Sequence, residues 1–92
     1  MRVKDTIETK LTAAFRPQRL DIVDESHLHA GHAGSRPGGE THFRVEIVSP
    51  GFEGKSRVER QRMIYAVLKA EMASSIHALS LTVMTPAEDR RA

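Results

Sequence analysis

Residues Thr41-His42-Phe43-Arg44-Val45-Glu46-Ile47-Val48-Ser49 alternate between two kinds of side chain. Phe43, Val45 and Ile47 fall on one face and His42, Arg44, Glu46 and Val48 on the other, which predicts a half-exposed strand. Pro50-Gly51 ends it. Upstream, Leu20, Ile22 and Val23 make a short β-prone run within residues 20–26. Downstream, Leu79, Leu81 and Val83 alternate with Ser80 and Thr82 in a third strand that starts near His77 and is closed by Pro86. His77 is in phase with that apolar set, so its ring is expected to lean toward the core and to be partly buried.

Helical spacing brackets these strands. Val3, Ile7, Leu11, Ala14 and Phe15 line one side of an N-terminal amphipathic helix. Arg16-Pro17 stops it, since the residue before proline is disfavoured in helical geometry. Ser56 followed by Glu59 forms a capping box, opening a helix with Met63, Ile64, Val67, Leu68 and Met72 as its apolar positions and an end near Ser74. The order α-β-β-α-β predicts an α+β fold. The first two strands pair as antiparallel neighbours and the third returns after a helical crossover, giving a mixed three-stranded sheet with helices on one face.

With 92 residues there is room for one core, assigned to residues 1–86, with 87–92 as a charged tail. A deep, water-excluding cleft is hard to build at this size. Fourteen basic and twelve acidic residues give a net charge of +2, a mixed surface and not the one-signed field of a dedicated nucleic-acid binder. One tyrosine, three phenylalanines and no tryptophan leave few platforms on which bases could stack. Cysteine is absent, which excludes disulfides, a thiol nucleophile and a thiolate metal site made by this chain alone. No long apolar run occurs, so neither a secretory signal nor a membrane span is expected, and the cytoplasm is the default location.

Chemistry concentrates in three places. Residues 27–39, His-Leu-His-Ala-Gly-His-Ala-Gly-Ser-Arg-Pro-Gly-Gly, have no hydrophobic period and read as a loop of a length that tends to carry function. His27, His29 and His32 lie within six residues there, and imidazole is a common metal ligand near neutral pH. His77 is the second candidate, set against the plainer reading of a hydrogen-bonded histidine at a strand entrance; His42 reads as a sheet residue near the loop exit. The third is a basic group, Lys55, Arg57, Arg60 and Arg62, at the start of the second helix. Gly51-Phe52-Glu53-Gly54 matches the GxxG spacing of KH domains between a strand and a helix. Phe52-Glu53 fits that loop poorly, and a turn with Phe52 folded onto the core is the stronger reading. Asp24, Ser26 and the histidines include triad residue types, but no nucleophile elbow or oxyanion motif accompanies them, so the chain is read as non-enzymatic.

Taken in order, Asp24-Glu25-Ser26, the glycine-rich loop, Glu40-Thr41-His42-Phe43, Ile47-Val48-Ser49, Phe52-x-Gly54-x-Ser56, Arg60-x-Arg62-Met63-Ile64-Tyr65 and His77-Ala78-Leu79 closely resemble the BolA family. The resemblance runs from the first helix to about Glu88. It implies a type II KH-like fold, with room for a short helical turn before the main helix. It also implies a heterodimer with a monothiol glutaredoxin around a bridging [2Fe-2S] cluster, in cluster trafficking, maturation or iron regulation. Glutaredoxin and glutathione would supply thiolates and this chain nitrogen, with no cofactor expected on the isolated chain. By position His77 matches the family's C-terminal histidine ligand, and His29 or His32 would supply the loop ligand, with His27 the weakest candidate. Gln61 stands where many members carry histidine between two arginines, so no ligand is assigned there. Some family members are described as DNA-binding transcriptional regulators, which makes DNA the alternative partner, with Lys55, Arg57, Arg60 and Arg62 as its contacts. A second copy of the chain is a further candidate partner.

Overall fold

The computed structural model describes residues 2–25 and 42–89. Helix α1 spans Val3–Phe15 and buries Ile7 and Leu11 completely, four residues apart on one face. It ends at Arg16, whose backbone turns into the left-handed region with φ 45° and ψ 59° while its N–H still reaches the Thr12 carbonyl at 3.0 Å. Proline therefore ends the helix as expected, but through a left-handed cap and not through the extended conformation its neighbour usually takes.

Strands β1 (Arg19–Asp24), β2 (His42–Val48) and β3 (Ala78–Met84) form one sheet in the order β1-β2-β3. β1 pairs antiparallel with β2 and β3 parallel to it, the mixed arrangement the element order predicts. The central position of β2 explains why Phe43, Val45 and Ile47 are almost wholly buried while Leu20, Leu79, Leu81 and Val83 on the flanking strands are only partly so. Val48 is also buried, although alternation assigns it to the outer face.

The parallel connection from β2 to β3 runs through a 3₁₀ turn at Pro50–Phe52, then α2 (Arg57–Val67) and α3 (Lys69–Ser74). The capping box is present: Ser56 Oγ accepts from the Glu59 N–H at 3.1 Å and Glu59 Oε1 accepts from the Ser56 N–H at 2.9 Å. The single helix expected to Ser74 is two, joined at Leu68 (φ −100°, ψ 18°), which carries neither a proline nor a glycine to announce the break. Hydrogen bonds continue across it, from Leu68 N–H to Ile64 and from Met72 N–H to Leu68. Ile64, Leu68 and Ile76 join the same core, with Met63, Val67 and Met72 packed around it.

Phe52 is fully buried, its ring 4.9 Å from that of Phe15 at a 38° tilt. The Gly51–Gly54 turn is therefore anchored from within by a core side chain. Beyond Pro86 the chain folds back: Glu88 pairs with Arg60 and Asp89 with Arg19. Among the described residues no helix is long and apolar enough to cross a membrane.

Candidate histidine site and basic groove

The parallel register sets His42 opposite Ala78, so His42 and His77 meet at the same end of the sheet. Their ring centroids are 6.1 Å apart and the planes differ by 16°. His77 is exposed, not partly buried as its phase suggested. A bend at His77 breaks the alternation: Ile76, 5% exposed, takes the core position and the next side chain emerges. His42 is half-buried, as read from the strand pattern, but its proximity to His77 depends on the strand offset, which no spacing in the sequence encodes.

His27, His29 and His32 lie outside the described residues. The chain leaves β1 at Glu25 and re-enters at His42, and these two are joined by a 2.8 Å bond from the Glu25 N–H to the His42 carbonyl. Glu25 also sits 3.6 Å from Arg44 on the outer sheet face. Both ends of the histidine-bearing segment are thus attached next to His42.

Among the described residues no group of three or more His, Asp or Glu side chains is arranged to hold a metal ion. The sheet end offers two imidazole donors, which suit iron, zinc or copper but do not complete a tetrahedral shell. Further ligands must come from residues 26–41, from solvent or from another molecule. A sulfur-bound cluster is chemically compatible with this donor set only if the sulfur is brought by a partner, because the chain has no cysteine.

The basic group lies elsewhere. Lys55, Arg57 and Arg62 are exposed, whereas the Arg60 side chain is 14% exposed and internally engaged. Its guanidinium donates to the Lys55 carbonyl at 3.0 Å, the Val83 carbonyl at 3.2 Å and Glu88 Oε1 at 2.7 Å. Arg60 and the Thr85 N–H together hold the Glu88 carboxyl down at about 2, because both stabilise its charged form. Ser56 lowers Glu59 in the same way through the capping box. A depression of about 490 Å³ opens here between α2 and β3, with Lys55, Arg57 and Gln61 on one wall and Leu81 to Val83 on the other. Gln61 thus faces a groove. His77 precedes β3 and the groove wall runs from Leu81 to Val83, so groove and imidazole pair are separated by roughly 13–20 Å at a rise of about 3.3 Å per residue.

A mixed three-stranded sheet covered by helices on one face, with two imidazoles at one end and a basic groove at the other, defines a small α+β module of the type II KH-like class. The chain belongs to the BolA family: the family model described as BolA-like protein matches residues 11–88. It is 47% identical over 92 residues to an uncharacterized protein in the cobS 5' region of a Sinorhizobium species, covering 99% of each chain. It is 45% identical over 85 residues to the DNA-binding transcriptional regulator BolA of Escherichia coli, covering 92% of this chain and 77% of that one. BolA1 from Arabidopsis thaliana superposes with a TM-score of 0.87 at 42% identity, covering 97% of both chains. The chain spans 24% and 51% of two longer Arabidopsis relatives, SufE-like protein 1 and Protein BOLA1.

Proposed function

We propose that this chain is a non-enzymatic partner of a monothiol glutaredoxin, donating imidazole nitrogen to a [2Fe-2S] cluster held between the two proteins. The observation that carries this reading is His77: exposed, beside a second imidazole, on a chain that has no thiolate of its own. Cysteine thiolates of glutaredoxin and glutathione supply the sulfur ligands. Neutral imidazole in place of a thiolate makes the site less negative, which raises its reduction potential and leaves it open to exchange. Such a role fits cluster trafficking, maturation of cluster proteins or iron regulation, in the cytoplasm. His29 or His32 is the loop ligand of this reading.

The test mixes the chain with a monothiol glutaredoxin, iron, sulfide and glutathione. Visible absorption and circular dichroism are expected to differ from those of glutaredoxin alone, and His77→Ala is expected to restore the glutaredoxin-only spectrum. Unchanged spectra with no measurable complex would overturn the reading.

A second reading rests on the basic groove and on the relative named as a DNA-binding transcriptional regulator. Here Lys55, Arg57 and Arg62 track phosphates along α2, and binding weakens steeply with salt while surviving His77→Ala. No binding to duplex or single strand above background at moderate salt would remove it.

A further inference from the structure

We propose that the free edge of β3 is a docking site for an extended acidic peptide segment, which adds to the sheet as a fourth strand within the basic groove. The inference is independent of the cluster reading, since it concerns the other end of β3 and a partner of different chemistry.

In a parallel pair, one residue turns its N–H and C=O toward the neighbouring strand and the next residue turns them away. The Ser49 N–H donates to the Met84 carbonyl at 3.0 Å, so Met84, and in phase with it Thr82, Ser80 and Ala78, face β2 through their backbone groups. The register partners of Met84 and Ala78 agree: the Val48 and His42 carbonyls point the other way and accept from Gln18 and Glu25. Leu79, Leu81 and Val83 therefore aim their N–H and C=O out of the sheet, because β3 is an edge strand. Arg60 takes the Val83 carbonyl at 3.2 Å. Among the described residues nothing pairs with the outward groups of Leu79 and Leu81. Leu81 and Val83 line the groove, so an open stretch of ladder faces its depression of about 490 Å³.

The opposite wall selects what the added strand carries. Lys55 and Arg57 are exposed and in no ion pair with a described residue, whereas Glu88, the one carboxylate of the groove, is committed to Arg60 at 2.7 Å. Side chains alternate along a strand, so every second residue of the segment faces α2 and meets Lys55, Arg57 or Gln61, while the others lie beside exposed Ser80 and Thr82. The fitting segment has acidic residues at alternate positions with polar, β-branched residues between them. A peptide backbone offers both a donor and an acceptor to Leu81, while the phosphates of a nucleic acid offer acceptors alone. A second copy of the chain would bring Lys55 and Arg57 to a groove of the same sign.

The probe is an acetylated, amidated octapeptide alternating glutamate with threonine, added to the full chain and followed by amide resonances and hydrogen exchange. In the free chain the Leu79 and Leu81 amides should exchange faster than those of Ser80 and Thr82, and saturating peptide should slow them by roughly tenfold or more. Lys55→Ala/Arg57→Ala should weaken binding by roughly twofold to thirtyfold, as the loss of two exposed ion pairs does. Two N-methylated peptides separate strand pairing from charge attraction, one methylated on its glutamate amides and the other on its threonine amides. Only one set faces β3, so one form should bind like the parent and the other at least about tenfold more weakly. Equal binding by both forms, or an unslowed Leu81 amide at saturation, overturns the proposal. A thymidine octanucleotide that slows the Leu81 amide where the peptide does not would assign the groove to nucleic acid. Leu79 and Leu81 amides protected in the free chain and released on dilution would assign the edge to a second copy, and either result also overturns it.

Discussion

The Ser49 hydroxyl donates to the Phe15 carbonyl at 2.6 Å while accepting the Gly51 N–H at 3.1 Å. One buried side chain thereby joins the last turn of α1, the end of β2 and the start of the crossover. The Phe15 carbonyl is among those that helix geometry leaves without an intrahelical partner. Ser49→Ala strips two part-buried backbone groups of their bond, and is expected to cost about 0.5–1.5 kcal/mol. Urea unfolding should show a lower midpoint at unchanged slope; an unaltered midpoint would mean that the two groups find other partners.

Arg16 is the one non-glycine residue with positive φ among those described. An L side chain in this region costs roughly 1–2 kcal/mol, which glycine avoids, though glycine adds freedom to the unfolded chain. Arg16→Gly is therefore expected to raise stability by about 0.5–1 kcal/mol. A fall in thermal midpoint would show that the Arg16 side chain contributes more than its backbone costs.

The Glu88 carboxyl titrates at about 2 in the folded chain against 4.5 for an unperturbed glutamate. A depressed folded-state value makes the ionised form stabilising, so the contribution is complete above the unfolded value and is lost as pH falls through about 2. The stability gap between wild type and Glu88→Gln should accordingly be constant above about pH 5 and shrink between there and about pH 2. Chemical denaturation at a series of pH values checks this, and a gap that stays flat through that window would exclude the Arg60 pairing as its source.

How far the sequence discloses this molecule depends on the range of the interaction concerned. Phe43, Val45 and Ile47 are buried as their alternation predicts, and the Ser56–Glu59 box opens α2 at the expected residue, because both patterns are local. Phe52 behaves as a core side chain within its GxxG spacing, and the Phe15 ring it meets lies 37 positions away in the numbering. The break at Leu68 has no composition signal, and the periodicity of 63, 64, 67, 68 and 72 runs straight through it. The imidazole pair is the clearest case. His77 was identifiable from its motif, but its partner is set by a parallel register and by a bend that turns Ile76 inward.

Asp89 lies beyond the last strand, yet its side chain is 4% exposed and accepts from Arg19 Nε at 3.2 Å and Nη2 at 2.9 Å. Arg19 also contacts Asp21 and Glu46, and this acidic surround holds its guanidinium firmly protonated, with Asp89 the largest cause. Asp89→Ala removes the bidentate partner while two carboxylates stay, so a loss of about 1–3 kcal/mol is expected, less than for a charge left wholly unpaired. Thermal unfolding of the single variant measures it, and an unshifted transition would show that Asp21 and Glu46 hold Arg19 unaided.

Groove and imidazole pair sit at opposite ends of β3, so they should be separable by substitution. Arg60 is unsuitable for that purpose: its bonds to Lys55, Val83 and Glu88 make any substitution a change to the fold. Lys55, Arg57 and Arg62 are exposed, and replacing all three by alanine removes charge without removing those ties. If DNA is bound at the groove wall formed by Lys55 and Arg57 and at Arg62 on the same helix as Arg57, the slope of log affinity against log salt should become less negative by up to about 2.7, at about 0.9 for each duplex phosphate that is no longer neutralised. The visible spectrum of the mixture with glutaredoxin should be unchanged in the same variant. A salt slope that does not move would place any DNA interaction outside the groove.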